Sequence, residues 1–364
     1  MGMSLLLSET KPLIHLREAM TVEHPLIRRE RTNLKRIREN TQALQAAGQY
    51  PLQFQMPTGI QFELTGACNL RCKHCYNRSG DSDVQTRMKP EDWLALSRHI
   101  VENGGIFQCI LSGGEPLLMG ETLIKIMDIL HEDNTGFVLI SNGLLMNHSW
   151  IQKFRKYSFN WLQISIDDNI REKHDAFRGV TGSWDAAARA ALGVSSAGIP
   201  LAIAHTITPD NLARLPEMVE FAYQLGAGSI LCGETMVSGR AAKNEQILLN
   251  EEQRGAMFTM IETLQKHWGN KIIIRYSIPE GIQLQYKLDL PVSSIIVRPN
   301  GDVRLDCTLP FTIGNVLETP FTDIWRSKGI HSWENPKVRA YIQNLASGII
   351  NPDFINHVSR DRVL

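Results

Sequence analysis

Three thiols fall within eight positions of the stretch "TGACNLRCKHCYNRSG", at Cys68, Cys72 and Cys75. A structural zinc site normally closes with four protein ligands and a redox pair needs two thiols. A trio therefore points to a metal centre left one ligand short, with an open position where chemistry can happen. A zinc site completed by His74 is the alternative, but the place of His74 between two of the cysteines turns it away from a metal that they share. Other polar groups with chemical potential are "SGGEP" (112–116), "SNG" (141–143) and "ISID" (164–167).

These groups need elements to position them. Six short β-branched or apolar runs, "GIQFELT", "FQCILSG", "GFVLISN", "WLQISID", "LAIAHTIT" and "GSILCGE", alternate with longer helical patterns. In "KPEDWLALSRHIVENGG", for example, Trp93, Leu96 and Ile100 recur at helical spacing behind Pro90 and Glu91, and Gly104 closes the segment. Repeated βα units predict a parallel sheet, as an open doubly wound sheet or a barrel, and in both the function collects at the strand C-termini. The cysteine trio follows the first strand, "SGGEP" the second and "SNG" the third, while Ser165 and Asp167 end the fourth. The four constellations describe one rim.

The pattern changes after about residue 245. A helical segment, "NEEQRGAMFTMIETLQKHWG", leads through "KIIIRYSI" to "SSIIVRPNGDVRLDC", whose "PNG" signals a hairpin. "IGNVLETPFTDIW" follows, and then a weakly patterned polar tail. This predicts a small α+β appendage on the larger domain.

The 364 residues include 38 basic and 38 acidic side chains, a balance that argues against nucleic acid or an anionic membrane as the principal partner. The densest basic run, "RRERTNLKRIR", reads as the solvated face of a helix. "MGMSLLLSETKPLIHLRE" lacks a cationic n-region and its apolar run is too short for a signal or a membrane span. Six cysteines, three of them clustered, fit a reducing compartment, and the expectation is a cytoplasmic protein.

Cys68-x-x-x-Cys72-x-x-Cys75 after the first strand of a βα repeat closely resembles the signature of the radical S-adenosylmethionine (SAM) superfamily, and the resemblance runs from residue 56 to about 330. It implies a [4Fe–4S] cluster held through three irons by the three thiolates, with SAM on the fourth iron, and an external one-electron donor such as a flavodoxin- or ferredoxin-like protein. It also implies roles for further residues. Tyr76 matches an aromatic position beside the adenine. Gly113, Gly114, Glu115 and Pro116 resemble the segment that receives the SAM amino group. Ser165 matches a ribose contact, Arg178 in "HDAFRG" a partner of the SAM carboxylate, and Asn142 a residue lining the same pocket. The implied fold is a partial (β/α)6 TIM-like barrel over 56–245, preceded by a helical extension (1–55). A linker helix and small α+β domain (246–335) and a tail (336–364) follow.

"VRPNGDVRLDCTLPF", "IGNV" and "FTDIW", with "SGRAAKNEQ" before them, look like the C-terminal extension called SPASM, or its shorter relative twitch, of radical SAM enzymes that mature peptides and some small molecules. That family usually surrounds this core with cysteines for auxiliary clusters, whereas here only Cys307 remains, so no auxiliary cluster is expected. Cys307 and Cys232 are then either structural thiols or hydrogen-atom donors of the kind epimerases use, and Cys109 reads as a buried structural thiol. The resemblance implies a ribosomally made precursor peptide as substrate, cross-linked, epimerised, or excised or rearranged in its backbone, with a separate leader-binding partner protein. A sugar or aminocyclitol epimerase or dehydrogenase is the alternative, and a non-catalytic zinc or iron–sulfur protein is the reading from a different class.

Overall fold

The computed structural model describes residues 23–82, 84–288, 294–347 and 361–364. A first helix, α1 (Pro25–Ala46), opens with the ring of His24 accepting from Leu26 N and Pro25 at the first helical position, where a missing N–H costs nothing. It buries Leu26 and Ile27 and leaves its basic run largely in solvent. The repeat follows as β1 (Gly59–Glu63), α2 (Pro90–Glu102), β2 (Gln108–Ser112), α3 (Glu121–Glu132), β3 (Gly136–Ser141), α4 (His148–Phe154), β4 (Phe159–Ser165), α5 (Arg171–Arg178), α6 (Ser183–Ser196), β5 (Leu201–Ile207), α7 (Leu215–Gln224) and β6 (Ser229–Glu234). Helix α2 illustrates the local logic: Asp92 accepts from Lys89 N at 2.7 Å, and Trp93, Leu96 and Ile100 are buried on one face.

The six strands are parallel neighbours in sequence order, without the reversal of a doubly wound sheet. Right-handed crossovers in an unreversed order put the helices on a single face, which leaves the other face concave and free, as in a partial barrel. Strand parity then assigns side chains. In β1, Phe62 meets Trp93 of α2 with ring centroids 5.1 Å apart, so Gln61 and Glu63 face inward. Gln61 accordingly donates to Ser112 of β2 at 2.9 Å.

The chain continues through α8 (Glu251–Trp268), β7 (Ile273–Tyr276), α9 (Glu280–Leu288), β8 (Ser294–Val297), β9 (Asp302–Arg304), β10 (Phe311–Asn315), a one-turn α10 (Phe321–Ile324), α11 (Pro336–Ala346) and β11 (Arg362–Val363). The α+β appendage joins the sheet of the larger domain. β8 pairs in parallel with β1, and β9 to β11 extend the same sheet, while β7 extends it beyond β6. The "PNG" hairpin forms as expected, with Ile296 opposite Arg304 and Val297 opposite Val303. The segment read as a tail from residue 336 opens with α11, whose Val338, Tyr341 and Ile342 are buried. Those three lie at helical spacing behind Asn335, which accepts from Lys337 N, and they carry the helix into the core. Among the described residues no helix is long and apolar enough to cross a membrane.

Candidate active site

The loop after β1 carries all three cysteines, although among the described residues no three Cys, His, Asp or Glu side chains stand as a preformed metal site. Burial pushes the Cys68 thiol up to about 11, and the neighbouring Cys72 and Cys75 add to it, so the three sulfurs lie within electrostatic reach of one another. Burial also raises Cys72, against the pull of Arg178. Metal loading must therefore displace protons from these thiols, and the ligand set suits iron and sulfide. Donors surround the sulfurs: Leu70 N stands 3.5 Å and Asn142 Nδ2 3.9 Å from Cys68 Sγ, and Arg178 Nη1 stands 3.6 Å from Cys72 Sγ. His74 turns aside from them and stacks on Phe177 at 4.7 Å, with its ring pushed down to about 4 first by burial.

Two segments clamp this loop. Arg71 N and Lys73 N each donate at 3.0 Å to the carbonyls of Arg178 and Phe177 at the end of α5. From the other side, Arg240 Nε donates to Cys72 O at 2.8 Å, its backbone N to Cys75 O at 3.0 Å, and Nη1 pairs with Asp81 at 2.6 Å. Gly239, at φ +56°, precedes it where a Cβ would strike the Cys75 and Tyr76 carbonyls. "SGR" in the sequence carried this signal, but nothing in its spacing ties it to a loop more than 160 residues earlier.

The "GGEP" segment lies against the same loop. Gly113 sits at φ +132°, with Thr65 O 2.8 Å from where a Cβ would be, and a Cβ on Gly114 would collide with Ala67 O. Gly113 lets the backbone pack against Leu64 and Thr65 and Gly114 against Ala67 and Cys68, and Gly114 N donates to Thr65 O at 2.6 Å. Glu115 is fully buried and begins the short turn at Pro116; its carboxylate accepts from Ser141 Oγ, Asn142 N and Leu117 N. Burial dominates and pushes it up to about 7 despite those bonds. Asn142 donates from its side chain to Asn69 Oδ1 at 2.8 Å, and half-buried Ser165 ends β4 on the inner face.

Arg178 is buried at the last position of α5, with its Nε 2.6 Å from Asp167 Oδ2. Asp167 is buried too, yet Arg178, His74 and His174 hold its carboxyl well below the usual range. His174 accepts from Asp167 N at 3.1 Å as a neutral ring, and burial pushes it down to about 4. Its folded pKa lies below the ordinary 6.5, so protons bind the unfolded chain preferentially between those values. Stability is then complete above about pH 6.5 and falls by about 2–3 kcal/mol as the pH drops towards 4. Urea midpoints of the apo protein should fall across that window, and less so in His174→Gln, which keeps an acceptor and loses the titration.

Tyr76 points its hydroxyl to Glu63 Oε1 at 2.7 Å, and burial together with the Glu63 charge pushes the phenol well up. Glu63 in turn faces Arg298 just past the end of β8, Oε2 to Nε 3.5 Å. Sequence reading missed this inward ionic cluster, because the pairing of β8 with β1 is non-local.

The remaining thiols divide by strand parity. Cys232 was expected as a possible hydrogen donor, but it is fully buried in the core; in β6 it is Leu231 that faces inward, paired with Ala204. The donor role is withdrawn for Cys232, whose thiol burial pushes up to about 12. Cys109 is likewise fully buried, on the helix side of β2. Cys307 follows β9, close enough to Tyr76 that their charges would repel. Around it Lys287 pairs with Asp306, and Thr308 donates to Asp306 from its backbone N and its hydroxyl. One thiol between an ion pair and a buried arginine does not fit an iron–sulfur cluster, and the appendage has no other cysteine.

The Radical SAM superfamily profile matches residues 62–222, and that of SPASM, an iron–sulfur cluster-binding domain, matches 290–344. Fe-coproporphyrin III synthase of Methanosarcina barkeri is 28% identical over 293 residues, covering 73% of each chain. The antilisterial bacteriocin subtilosin biosynthesis protein AlbA of Bacillus subtilis is 25% identical over 286 residues, 78% of this chain and 62% of its own. Streptococcus suis SuiB bound to precursor peptide SuiA shares the fold, with a TM-score of 0.63 at 13% identity, over 82% of this chain and 70% of SuiB. With its three-cysteine loop, its glycine cradle and these relations, the chain carries a radical SAM domain followed by a SPASM domain, as an enzyme that uses a [4Fe–4S] cluster and S-adenosylmethionine.

Proposed function

We propose that the enzyme abstracts hydrogen from a ribosomally made precursor peptide, and that Cys68, Cys72 and Cys75 hold the cluster that starts the reaction. When bound, the cluster supplies the electron that splits SAM into methionine and a 5′-deoxyadenosyl radical. Gly113 and Gly114 with the Glu115 turn would receive the SAM amino group, Arg178 would pair with its carboxylate, and Ser165, Asn142 and Tyr76 would line the nucleoside side. The protein's share is to position the substrate carbon and keep competing donors away. A cytoplasmic flavodoxin- or ferredoxin-like protein provides the electron, and a separate leader-binding protein presents the peptide.

The observation that carries the peptide reading is the relation to AlbA, which covers 78% of this chain. Precursor peptide encoded beside the gene, incubated with reduced holoenzyme and SAM, should give 5′-deoxyadenosine together with a changed peptide mass or stereocentre. A tetrapyrrole substrate is the second reading, favoured by the reciprocal coverage of the relation to Fe-coproporphyrin III synthase. 5′-Deoxyadenosine formation driven by a coproporphyrin and not by the peptide would decide for it.

Cys307 is the candidate thiol for quenching a substrate radical. If it does so, turnover in heavy water places one deuterium on the product carbon, and Cys307→Ala consumes SAM without forming the quenched product. Cys232→Ala should keep SAM cleavage and lose about 1 kcal/mol of stability through the small cavity it leaves. Product free of deuterium, with normal turnover in Cys307→Ala, would leave cross-linking, dehydrogenation or excision.

A further inference from the structure

The inner face carries a second set of buried charges beside the cluster loop. Arg298 directly follows β8 and Arg304 ends β9, at 4% and 0% exposure. Both guanidinium groups reach one carboxylate, that of Asp361: Arg298 Nη1 at 2.6 Å and Arg304 Nη2 at 3.4 Å. Arg304 is fixed from behind by its Nε bond to Leu309 O at 2.8 Å, and Arg298 by Glu63, which Tyr76 in turn holds. The two arginines thus stand on one hairpin, Arg298 just past β8 and Arg304 at the end of β9, as a preset fork.

Asp361 reaches them from a different kind of support. It precedes the two-residue strand β11, which is tied to β10 by Arg362 N to Pro310 O and Leu364 N to Thr312 O, and to α10's continuation by Lys328 Nζ to the Leu364 carbonyl. Val363 beside it is 71% exposed. Next to the fork lies a cavity of about 270 Å³ bounded by Glu63, Asn77, Ser79, Arg298 and Asp361. Asn77 is 5% exposed there, and among the described residues its Oδ1 has no hydrogen-bond donor. A buried carbonyl of this kind calls for an N–H from a ligand.

We propose that Arg298 and Arg304 form a seat for a carboxylate of the substrate, with Asp361 of the chain's own C-terminus as the group that sits there when substrate is absent. The inference rests on the reading that substrate binds on this inner face. A planar guanidinium fork suits a carboxylate, and a carboxylate flanked by an N–H that can reach Asn77 describes an acidic residue of a peptide. A tetrapyrrole propionate offers the same carboxylate without that neighbouring donor. Burial raises the Asp361 carboxyl above its ordinary range although two guanidinium groups oppose the rise, so the internal pair is not a deep trap. Seating a substrate acid here places it one ion pair and one hydrogen bond from Tyr76, the residue that follows the last cluster cysteine.

The test uses the full chain with its cluster and SAM, and three probes: acetyl-Ala-Glu-Ala-amide, its Gln counterpart and coproporphyrin III. Asp361→Asn should bind the Glu peptide about tenfold more tightly than wild type, because the competing internal charge is gone, and bind the Gln peptide no better. Arg298→Gln in the Asp361→Asn background should abolish the gain, and Arg298→Lys should keep part of it. A chain ending at residue 360 serves as a second opening variant, should the Asn side chain still occupy the fork. The same pattern with coproporphyrin in place of the peptide supports the seat and identifies a propionate as its guest. No gain for any carboxylate probe in either opening variant, or a gain that survives Arg298→Gln, overturns the proposal. SAM cleavage by the wild-type enzyme in dithionite is scored separately. If cleavage occurs and the seat is not found, only the seat fails; if no cleavage occurs, the enzymatic reading fails whatever the probes do.

Discussion

Replacing Cys68, Cys72 and Cys75 together by Ala should leave a protein without iron and without any formation of 5′-deoxyadenosine, whereas anaerobically reconstituted wild type carries about four irons and four sulfides. The size of this effect follows from the ligand set. Thiolates are the normal ligands of such clusters, and removing all three leaves no protein donor at the loop. The experiment reads the appendage at the same time. SPASM-type domains are named for cluster binding, yet in this chain the corresponding segment offers Cys307 alone, beside a Lys287–Asp306 ion pair with the Lys287 ammonium 5.8 Å from the Trp333 ring centre. Those side chains give the region a polar core of its own. A triple variant that kept about four irons would show a second cluster in the appendage and sink this account of it.

Much of the rim could be read from the chain because its logic is local. A strand, a loop with the chemical groups and a helix follow one another, so the cysteine trio, "GGEP", Asn142 and Ser165 fall at strand C-termini by order alone. What could not be read depends on which face a side chain takes or on pairing between distant segments. In "GSILCGE" the apolar residues Ile230, Leu231 and Cys232 are consecutive, so periodicity cannot say whether Leu231 or Cys232 faces inward; the sheet decides it by one residue, in favour of Leu231. The partnership of Glu63 with Arg298 exists only because β8 lies against β1 across more than 230 residues of chain. Arg240 is a similar case, since its three anchors on the cluster loop follow from a fold in which the segment after β6 returns to the first loop. Helix α11 was hidden for a simpler reason: its buried residues are spaced among Lys, Arg, Gln and Asn, and the stripe is only three residues long.

Arg178 supplies the second large effect. Arg178→Ala should keep its iron and bind SAM about 10- to 100-fold more weakly, since a hydrogen bond to a charged group is typically worth about 1.5–3 kcal/mol. Stability must be measured beside affinity, because the same guanidinium holds Asp167 at 2.6 Å in a buried site. Removing it leaves a carboxylate that burial alone would push upward, and breaking such a pair costs about 3–5 kcal/mol. The two roles separate in the double variant. Asp167→Asn with Arg178→Ala takes out the stranded charge and should recover most of the stability, while SAM affinity stays low because nothing replaces the fork. Arg178→Lys should rescue affinity only in part, as an ammonium cannot make the planar two-point contact. The Cys72 sulfur gives an independent readout: Arg178 Nη1 lies 3.6 Å from it, and a cationic donor at a cluster sulfur favours the reduced state. Arg178→Ala should therefore lower the reduction potential of the SAM-free cluster, a shift that a purely structural arginine would not produce. Unchanged SAM affinity together with an unchanged potential would confine Arg178 to its ion pair with Asp167 and the end of α5.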